Sequence, residues 1–208
     1  MRRPALEARV RSERRAALVV DARARGGKTA LPAARALLET AEVTVTSAVA
    51  VENRTALLAA VDEAVADGEP LVVIGGGDGT LRAIVGAFAY RETALAILPL
   101  GTANNFARSL GIPVRLADAV GVAVRGKVAA VDLARIDGEV FANVAVLGFP
   151  TGVARAAPPG AKQRLGPVAY VLYETPYLLS QTLFSATIST PSETRTFRTR
   201  QLIIANGS

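Results

Sequence analysis

The stretch LVVIGGGDGTLRAI, from Leu71 to Ile84, decides the fold of this chain. It opens with four apolar residues in a row, a pattern that is typical of a parallel strand buried on both faces. Three consecutive glycines follow, although glycine loses more conformational freedom on folding than other residues and has no side chain to pack. The pattern therefore predicts that another group comes very close to the backbone just after Ile74.

Apolar strand-like runs alternate with Ala/Leu-rich helical runs on both sides of this stretch. Asn53 is predicted to cap one of the helices, and Gly68 is predicted to end it. The predicted strands cover 16–20, 42–48, 70–74 and 95–100, and the predicted helices cover 30–40, 53–68, 80–89, 104–113 and 116–126. Such alternation is typical of a parallel sheet with helices on both faces, so it predicts an α/β fold.

The pattern changes near residue 127, where strand-like segments with polar alternation become more frequent. Asp137-Gly138 between two such segments indicates a β-hairpin. A loop is predicted at 157–161, a helix at 165–180, and further strands at 182–190 and 194–206. We therefore predict a basic N-terminal extension over 1–15, an α/β domain over 16–126 and a β-rich domain over 127–208. The chain ends directly after an apolar strand, which would leave sheet edges unpaired, so we expect it to be part of a longer protein.

The chain has 208 residues, a formal net charge of +6, and neither cysteine nor histidine. This composition excludes disulfides, thiolate or imidazole metal sites, and nucleophiles activated by a histidine base. A metal ion would have to be a hard cation such as Mg²⁺, held by oxygen ligands. With no tryptophan, few other aromatic residues and no recognisable reading motif, no nucleic-acid partner is predicted. No secretion signal or membrane-spanning stretch is recognisable, which predicts a cytoplasmic protein.

The GGGDGT segment follows a predicted strand, and ligands of open α/β sheets bind beyond the carboxyl ends of the strands. Backbone amides in a glycine-rich strand–helix turn can point at an anion, so the loop is predicted to bind phosphate. Asp78 would repel phosphate unless it holds a cation or accepts the proton of a substrate hydroxyl, and phosphoryl transfer requires both tasks. A tight turn that uses glycine and aspartate for geometry alone is the alternative. The predicted binding residues of this loop are Gly75, Gly76, Gly77, Gly79 and Thr80, the last either as a helix cap or as a phosphate ligand.

Two further strand–helix junctions repeat this arrangement. LPLGTANNFARS at 98–109 places Gly101, Thr102 and Asn104 before a helix, where they would bind phosphate or only cap the helix. In DARARGGKTA, after the first strand, Ala22 occupies the place of the leading glycine of a Walker A loop, so a P-loop is not predicted. Phosphate oxygens would still be within reach of the side chains of Lys28 and Thr29. The alternative is that both residues belong to an ordinary basic loop with no ligand.

The blocks GGGDGTL, LPLGTANNFARSLGIP, VDLARIDGEVFANVAVLGF and RLGPVAYVL together resemble the diacylglycerol kinase catalytic-domain family. This family includes bacterial diacylglycerol kinases and related lipid kinases, and sphingosine kinases. The resemblance runs from about residue 16 to residue 208 and is most specific in the second block. It implies an α/β nucleotide-binding domain, the incomplete start of a β-sandwich substrate domain, and transfer of the γ-phosphate of ATP to a lipid hydroxyl with Mg²⁺. By position it makes Asp78 the essential catalytic residue, and it places Gly101 and Thr102 beside the nucleotide.

The chain departs from the family pattern in three places. Arg82 and Ala83 stand where the family usually has an Asn-Glu pair, and the first loop lacks the usual Asn-Pro…Ser-Gly pattern. The family chain also runs past IIANGS to complete its sandwich and to supply an acidic residue proposed as the catalytic base. The acids at 137–139 belong to a hairpin turn and do not replace that residue.

Two alternatives to a lipid kinase stay open. NAD kinases resemble the chain in GGDGTLRA and phosphorylate a ribose hydroxyl, but they do not account for LPLGTANNFARSLGIP. A non-catalytic nucleotide-binding homologue would be consistent with Ala83.

The N-terminal arginines suggest a separate hypothesis, peripheral contact with an anionic membrane that would weaken with salt. A solvated helical extension is the alternative. The residues concerned are Arg2, Arg3, Arg9, Arg11, Arg14 and Arg15. Neither the lipid nor the oligomeric state can be read from the sequence.

Overall fold

A computed structural model describes residues 2–142, 144–148 and 183–206. The chain divides into two compact units, Met1–Asn143 with Asn206–Ser208, and Val144–Ala205. The boundary predicted at 126/127 falls inside the first unit, and the assignment of functional domains stays a prediction. The predicted loop at 157–161 and the predicted helix at 165–180 lie outside the described residues.

The first unit is built around a parallel sheet. Its strands are β1 (Arg15–Asp21), β2 (Thr44–Val51), β3 (Leu71–Gly76) and β4 (Ala94–Pro99). Its helices are α1 (Pro4–Glu13), α2 (Gly27–Thr40), α3 (Arg54–Ala66), α4 (Asp78–Ile84), α5 (Asn105–Ser109) and α6 (Leu116–Arg125), with a 3₁₀ turn (Val85–Phe88) after α4. The four strands are parallel in the order β2-β1-β3-β4, which confirms the predicted α/β fold.

Several element boundaries differ from the prediction, and the end of β3 and the start of α2 are two examples. β3 runs on through Gly75 and Gly76 because these residues still pair with Leu98 and Pro99 of β4. α2 begins one turn earlier than predicted, at Gly27, with Pro32 inside the helix. The Ala/Leu-rich run that predicts this helix begins only at Ala30, so the prediction leaves out Gly27, Lys28 and Thr29.

The core lies on both faces of the sheet because successive side chains of a strand point to opposite sides. On one face Leu18, Val20 and Val73 pack against α2 and α6. On the other face Val19 and Ile74 pack against α3, α4 and α5. The helices after β1 and β3 therefore lie on opposite faces of the sheet.

Helix α1 is anchored in the first unit by Leu6, which is 5% exposed in the core. Arg9 donates to the carbonyl of Gly68 at 2.7 Å, and Arg15 pairs with Glu69 at 3.2 Å. Gly68 and Glu69 precede β3, so these contacts place α1 at the amino ends of the strands. Each of the six N-terminal arginines forms an ion pair with a carboxylate: Arg2, Arg3, Arg9, Arg11, Arg14 and Arg15.

Short antiparallel pairs follow the parallel sheet. In the first unit, β5 (Ala134–Ile136) and β6 (Glu139–Phe141) form the predicted hairpin, with Asp137 and Gly138 at φ values of 48° and 84°. In the second unit, β7 (Val144–Gly148) pairs with β10 (Gln201–Ala205), and β8 (Phe184–Ser189) pairs with β9 (Thr194–Thr199). These strand pairs agree with the predicted β-rich character of this part of the chain.

Candidate functional site

The loops that leave β1 and β3 turn to opposite faces of the sheet, which defines a switch-point crevice between them. The chain leaves β1 for β2 on one side and later returns to form β3 on the other side, so the direction of winding reverses between β1 and β3. In open parallel sheets ligands bind at such a switch point, beyond the carboxyl ends of the strands. The first loop (Ala22–Gly26) leaves β1 at this point, and the GGGDGT loop (Gly75–Thr80) leaves β3 beside it. The structure therefore brings together the junctions whose residues the sequence singled out.

Thr80 braces the GGGDGT loop. Thr80 is only 6% exposed. Its hydroxyl oxygen accepts a hydrogen bond from the Gly77 N–H at 3.3 Å, and the hydroxyl donates one to Oδ2 of Asp21 at 2.9 Å. The hydroxyl proton is therefore already engaged and is not available to a phosphate oxygen. Of the two uses that the sequence left open, the structure shows the cap.

Several glycines allow close contacts within the chain. A Cβ on Gly101 would lie 2.6 Å from the Cα of Gly77, and a Cβ on Gly76 would lie 2.5 Å from the side chain of Thr80. Gly79 is different because it is exposed, and an added Cβ would meet no atom within 4 Å. Close packing within the chain therefore explains why glycine occupies positions 76, 77 and 101. It does not explain Gly79, which borders open space.

Asp78 is the first residue of α4 and is half-buried. Its Oδ2 accepts the backbone N–H of Asn105 at 3.1 Å, and its Oδ1 accepts that of Phe106 at 3.1 Å. The first N–H groups of a helix have no acceptor within the helix, so the carboxylate caps α5 from the neighbouring loop. Asp78 therefore ties the GGGDGT loop to the second loop (Leu100–Asn104).

Asp21 is a site residue that the sequence analysis missed. It ends β1, it is 4% exposed, and its carboxylate bonds Nε and Nη2 of Arg23 at 2.9 and 3.0 Å. This pairing, helped by the Thr80 hydroxyl, holds the pKa of Asp21 below its ordinary value, although burial acts in the opposite direction. An acidic residue at the end of an otherwise apolar strand was the signal that could have found it.

The two acids at the crevice differ in the acceptor capacity that remains to them. A carboxylate offers about four lone-pair sites. Asp21 accepts four hydrogen bonds, from the Thr80 hydroxyl and from the backbone N–H, Nε and Nη2 of Arg23. Asp78 accepts two from the described part of the chain, which leaves about half of its capacity for a cation or a proton. Asp78 is therefore the better candidate for chemistry, and Asp21 is saturated.

The other predicted binding residues fall into two groups. Lys28, Thr29 and Thr102 are exposed, the first two in the opening turn of α2 and the third in the second loop. Asn104 is 5% exposed, and its side chain accepts the Gly101 N–H and donates to the Gly101 carbonyl, both at 2.9 Å. Both polar atoms of the Asn104 side chain are thus engaged within the second loop, which leaves this residue a bracing role.

The described residues contain no group of three or more acidic side chains that could hold a metal ion by themselves. Asp78 combined with substrate phosphate oxygens would fit Mg²⁺, which binds proteins through one or two carboxylates and retains phosphate or water ligands. Ala83, which replaces the usual family glutamate, contacts the apolar core on the α3 face. No carboxylate from that position reaches the site in this chain.

The family model described as the diacylglycerol kinase catalytic domain matches residues 15–136. A probable lipid kinase YegS-like from Enterobacter sp. (strain 638) is 43% identical over 118 residues, which cover 54% of this chain and 40% of that protein. A probable lipid kinase YegS from Escherichia fergusonii is 42% identical over 118 residues with the same coverage. The match spans about 40% of the length of these curated relatives.

Two solved structures share the architecture. The crystal structure of a putative diacylglycerol kinase from Bacillus anthracis str. Sterne superposes with a TM-score of 0.76 at 25% identity, over 93% of this chain and 65% of that one. Another, of a diacylglycerol kinase from the same organism, gives a TM-score of 0.71 at 24% identity, over 93% and 64%. These likenesses support the fold of a parallel sheet followed by antiparallel strands.

Proposed function

The chain belongs to the diacylglycerol kinase catalytic-domain family, and from this membership we propose that it forms the nucleotide-binding part of a lipid kinase. The reaction is transfer of the γ-phosphate of ATP to the hydroxyl of diacylglycerol or a related lipid. The observation that best supports this proposal is the position of Asp78. Its carboxylate lies at the switch-point crevice with about half of its acceptor capacity free, beside the exposed backbone of Gly79.

The phosphate tail of ATP would lie over the GGGDGT loop, between the first and second loops. Gly79 offers open space there, and Lys28, Thr29 and Thr102 offer exposed donors at the rim. Positioning and electrostatic stabilisation supply most of the catalysis in phosphoryl transfer. The GGGDGT loop and the second loop contact each other at Gly77 and Gly101. Such contacts suit this task because they hold the hydrogen-bond donors in place before the ligand binds.

Asp78 would act on the lipid hydroxyl or on the metal. In transfer, the hydroxyl oxygen forms a bond to the γ-phosphorus, the bond from that phosphorus to the bridging oxygen of ADP breaks, and the hydroxyl proton leaves. The free lone pairs of Asp78 can receive that proton or hold Mg²⁺. When bound, Mg²⁺ would neutralise negative charge on the phosphates.

A lipid substrate brings the reaction to a membrane surface, and none of the described helices is long and apolar enough to cross a membrane. The N-terminal arginines are weak candidates for the membrane contact. Each is ion-paired, and their anchors lie at the amino ends of the strands, whereas the candidate site lies at the carboxyl ends. Neutralised charges attract anionic headgroups less than free ones. We therefore assign the membrane contact to none of these six arginines.

The test is transfer of radiolabelled γ-phosphate from ATP to a lipid panel that includes diacylglycerol, and to NAD. It is run on this chain and on a longer protein that contains it. Asp78→Asn should reduce lipid phosphorylation by roughly 10²- to 10⁴-fold, the usual contribution of a general base. Asp62→Asn, which changes an exposed acid of α3, is the matched control and should leave the rate unchanged.

Three outcomes would contradict the proposal in different ways. Equal lipid phosphorylation by Asp78→Asn and Asp62→Asn, compared per folded molecule, would reduce Asp78 to a helix cap. Labelled NAD without labelled lipid would favour the NAD kinase alternative. ATP binding without transfer to any acceptor, in the longer protein as well, would favour a non-catalytic homologue.

A further inference from the structure

The buried carboxylate of Asp21 connects β1 with the loop after β3, and its role is not explained by the glycine-rich loop alone. Asp21 ends β1 and Thr80 belongs to the loop after β3, so their 2.9 Å hydrogen bond crosses the switch point itself. The same carboxylate holds Arg23, whose side chain is 51% exposed in the first loop. A saturated acid thus joins a buried hydroxyl of one loop to a solvent-exposed cation of another.

We propose that Asp21 is a positioning residue of the phosphate site, and that Arg23, which it holds, binds the phosphate tail of the nucleotide. This inference rests on the proposed nucleotide-binding function and adds to it a cation that the sequence analysis did not include. Asp21 itself does not touch the ligand. It acts through its two partners.

On the loop side, Asp21 orients the backbone of the GGGDGT loop through Thr80. The Thr80 hydroxyl has one proton, and donating it to Asp21 directs the oxygen lone pairs toward the Gly77 N–H, which they accept at 3.3 Å. Without the Asp21 acceptor the hydroxyl would be buried with its donor unsatisfied, or would turn and release Gly77. The peptide that leads into Asp78 therefore depends on a carboxylate 57 positions earlier in the chain.

Asp21 also holds the side chain of Arg23 in place, but it uses only some of the N–H groups with which Arg23 can bind phosphate. A guanidinium has five N–H donors, and Asp21 uses one at Nε and one at Nη2, which leaves three. Planar guanidinium groups bind phosphate through paired donors, and an arginine already held in place loses less conformational entropy when it does so. Arg23 lies two residues beyond the carboxyl end of β1, at the switch point where the phosphate tail is expected.

Displacement of a fluorescent ATP analogue from the full chain, by ATP and separately by AMP, tests this assignment. Arg23→Ala should weaken binding of ATP by roughly tenfold or more, since it removes charge-assisted hydrogen bonds to phosphate. Binding of AMP, which has one phosphate in place of three, should weaken less. If Arg23 had only a structural role, its replacement would weaken the binding of ATP and AMP by the same factor. Arg23→Lys keeps the charge but not the paired donors and should recover part of the affinity.

Arg35→Ala is the matched control, because Arg35 is 54% exposed and forms a comparable ion pair, with Glu39, farther along α2. Arg35→Ala should leave the affinities for ATP and for AMP unchanged. Asp21→Asn keeps an acceptor for Thr80 but removes the charge that holds Arg23. It should raise the KM for ATP more than it lowers kcat, and in the Arg23→Ala background it should add little, because the two changes remove the same contact.

The proposal is overturned if the wild-type chain binds ATP while Arg23→Ala and Asp21→Asn bind it within twofold of wild type. Equal losses for ATP and AMP would also overturn it, since both would then reflect a general loosening of the loop. A wild-type chain that binds no ATP would overturn the proposed function as well, so the two failures are distinguishable. Arg23 is exposed, so its variants keep the test usable even if a change at Asp21 prevents folding.

Discussion

Replacing Gly79 with alanine would separate the two reasons for which the GGGDGT loop is rich in glycine. Gly79 has no positive φ, it lies in the first turn of α4, and an added Cβ would meet no atom within 4 Å. Alanine at such a position stabilises a protein by about 0.4–1 kcal/mol, mainly because it restricts the unfolded chain. For a chain of this size that raises Tm by about 1–4 °C.

Nucleotide binding should change in the opposite direction. If the phosphate tail passes over Gly79, the added methyl group occupies space that the ligand needs. The cost of inserting a methyl group into a close contact is about 1–3 kcal/mol, which weakens ATP binding by roughly 5- to 150-fold. Thermal unfolding and ATP titration of the same preparation measure both effects.

Gly101→Ala is the matched comparison because its Cβ would lie 2.6 Å from the Cα of Gly77 and 2.8 Å from Oδ1 of Asn104. The clash involves backbone that cannot move aside cheaply, so this variant should lose about 1–3 kcal/mol of stability. The reasoning is refuted if Gly79→Ala binds ATP as tightly as wild type, because open space beside Gly79 would then not be where the nucleotide lies. It is also refuted if Gly101→Ala unfolds at the wild-type temperature.

Three further predictions concern stability. Asn53→Ala removes the side-chain acceptor of the Ala56 N–H and should cost about 0.5–2 kcal/mol in urea unfolding without changing ATP affinity; a weakened affinity would contradict a purely local cap. Leu6→Ala should cost about 2–5 kcal/mol by the same measurement if α1 is part of the core, whereas a loss below 1 kcal/mol would show that the helix is only loosely attached. Arginine partners lower the pKa values of Asp21, Glu7 and Glu13, so these three charged carboxylates should contribute their full stabilisation near pH 7. The contribution should be lost as the pH falls below about 4. A urea midpoint unchanged between pH 7 and pH 3 would contradict this.

Local signals in the sequence predicted the elements whose causes are local. Asn53 caps α3, Gly68 ends the segment after it with a φ of +70°, and Asp137-Gly138 forms the turn of a hairpin. In each case the residues that make the structure lie within a few positions of one another. Where a boundary depended on a partner strand, as at Gly75 and Gly76 of β3, the prediction ended too early.

The candidate site was predictable in part for the same reason. Asp78 and the glycines around it form one short motif, and a motif can be recognised without knowing the fold. Asp21 was missed because its importance comes from Thr80, which lies 59 positions away in the chain. Asn104 was read as a possible phosphate ligand, but the structure engages both polar atoms of its side chain with Gly101.

The sequence by itself determined that strands and helices alternate, that a glycine-rich loop with an acid follows a buried strand, and that no histidine or cysteine chemistry is available. Only the tertiary structure decided that β1 and β3 are neighbours, which places the crevice between their loops. It also decided which glycines serve packing, and which of two nearby carboxylates keeps lone pairs free for chemistry. These properties depend on the distances between segments far apart in the chain, and hydrophobic periodicity and local motifs contain no record of those distances.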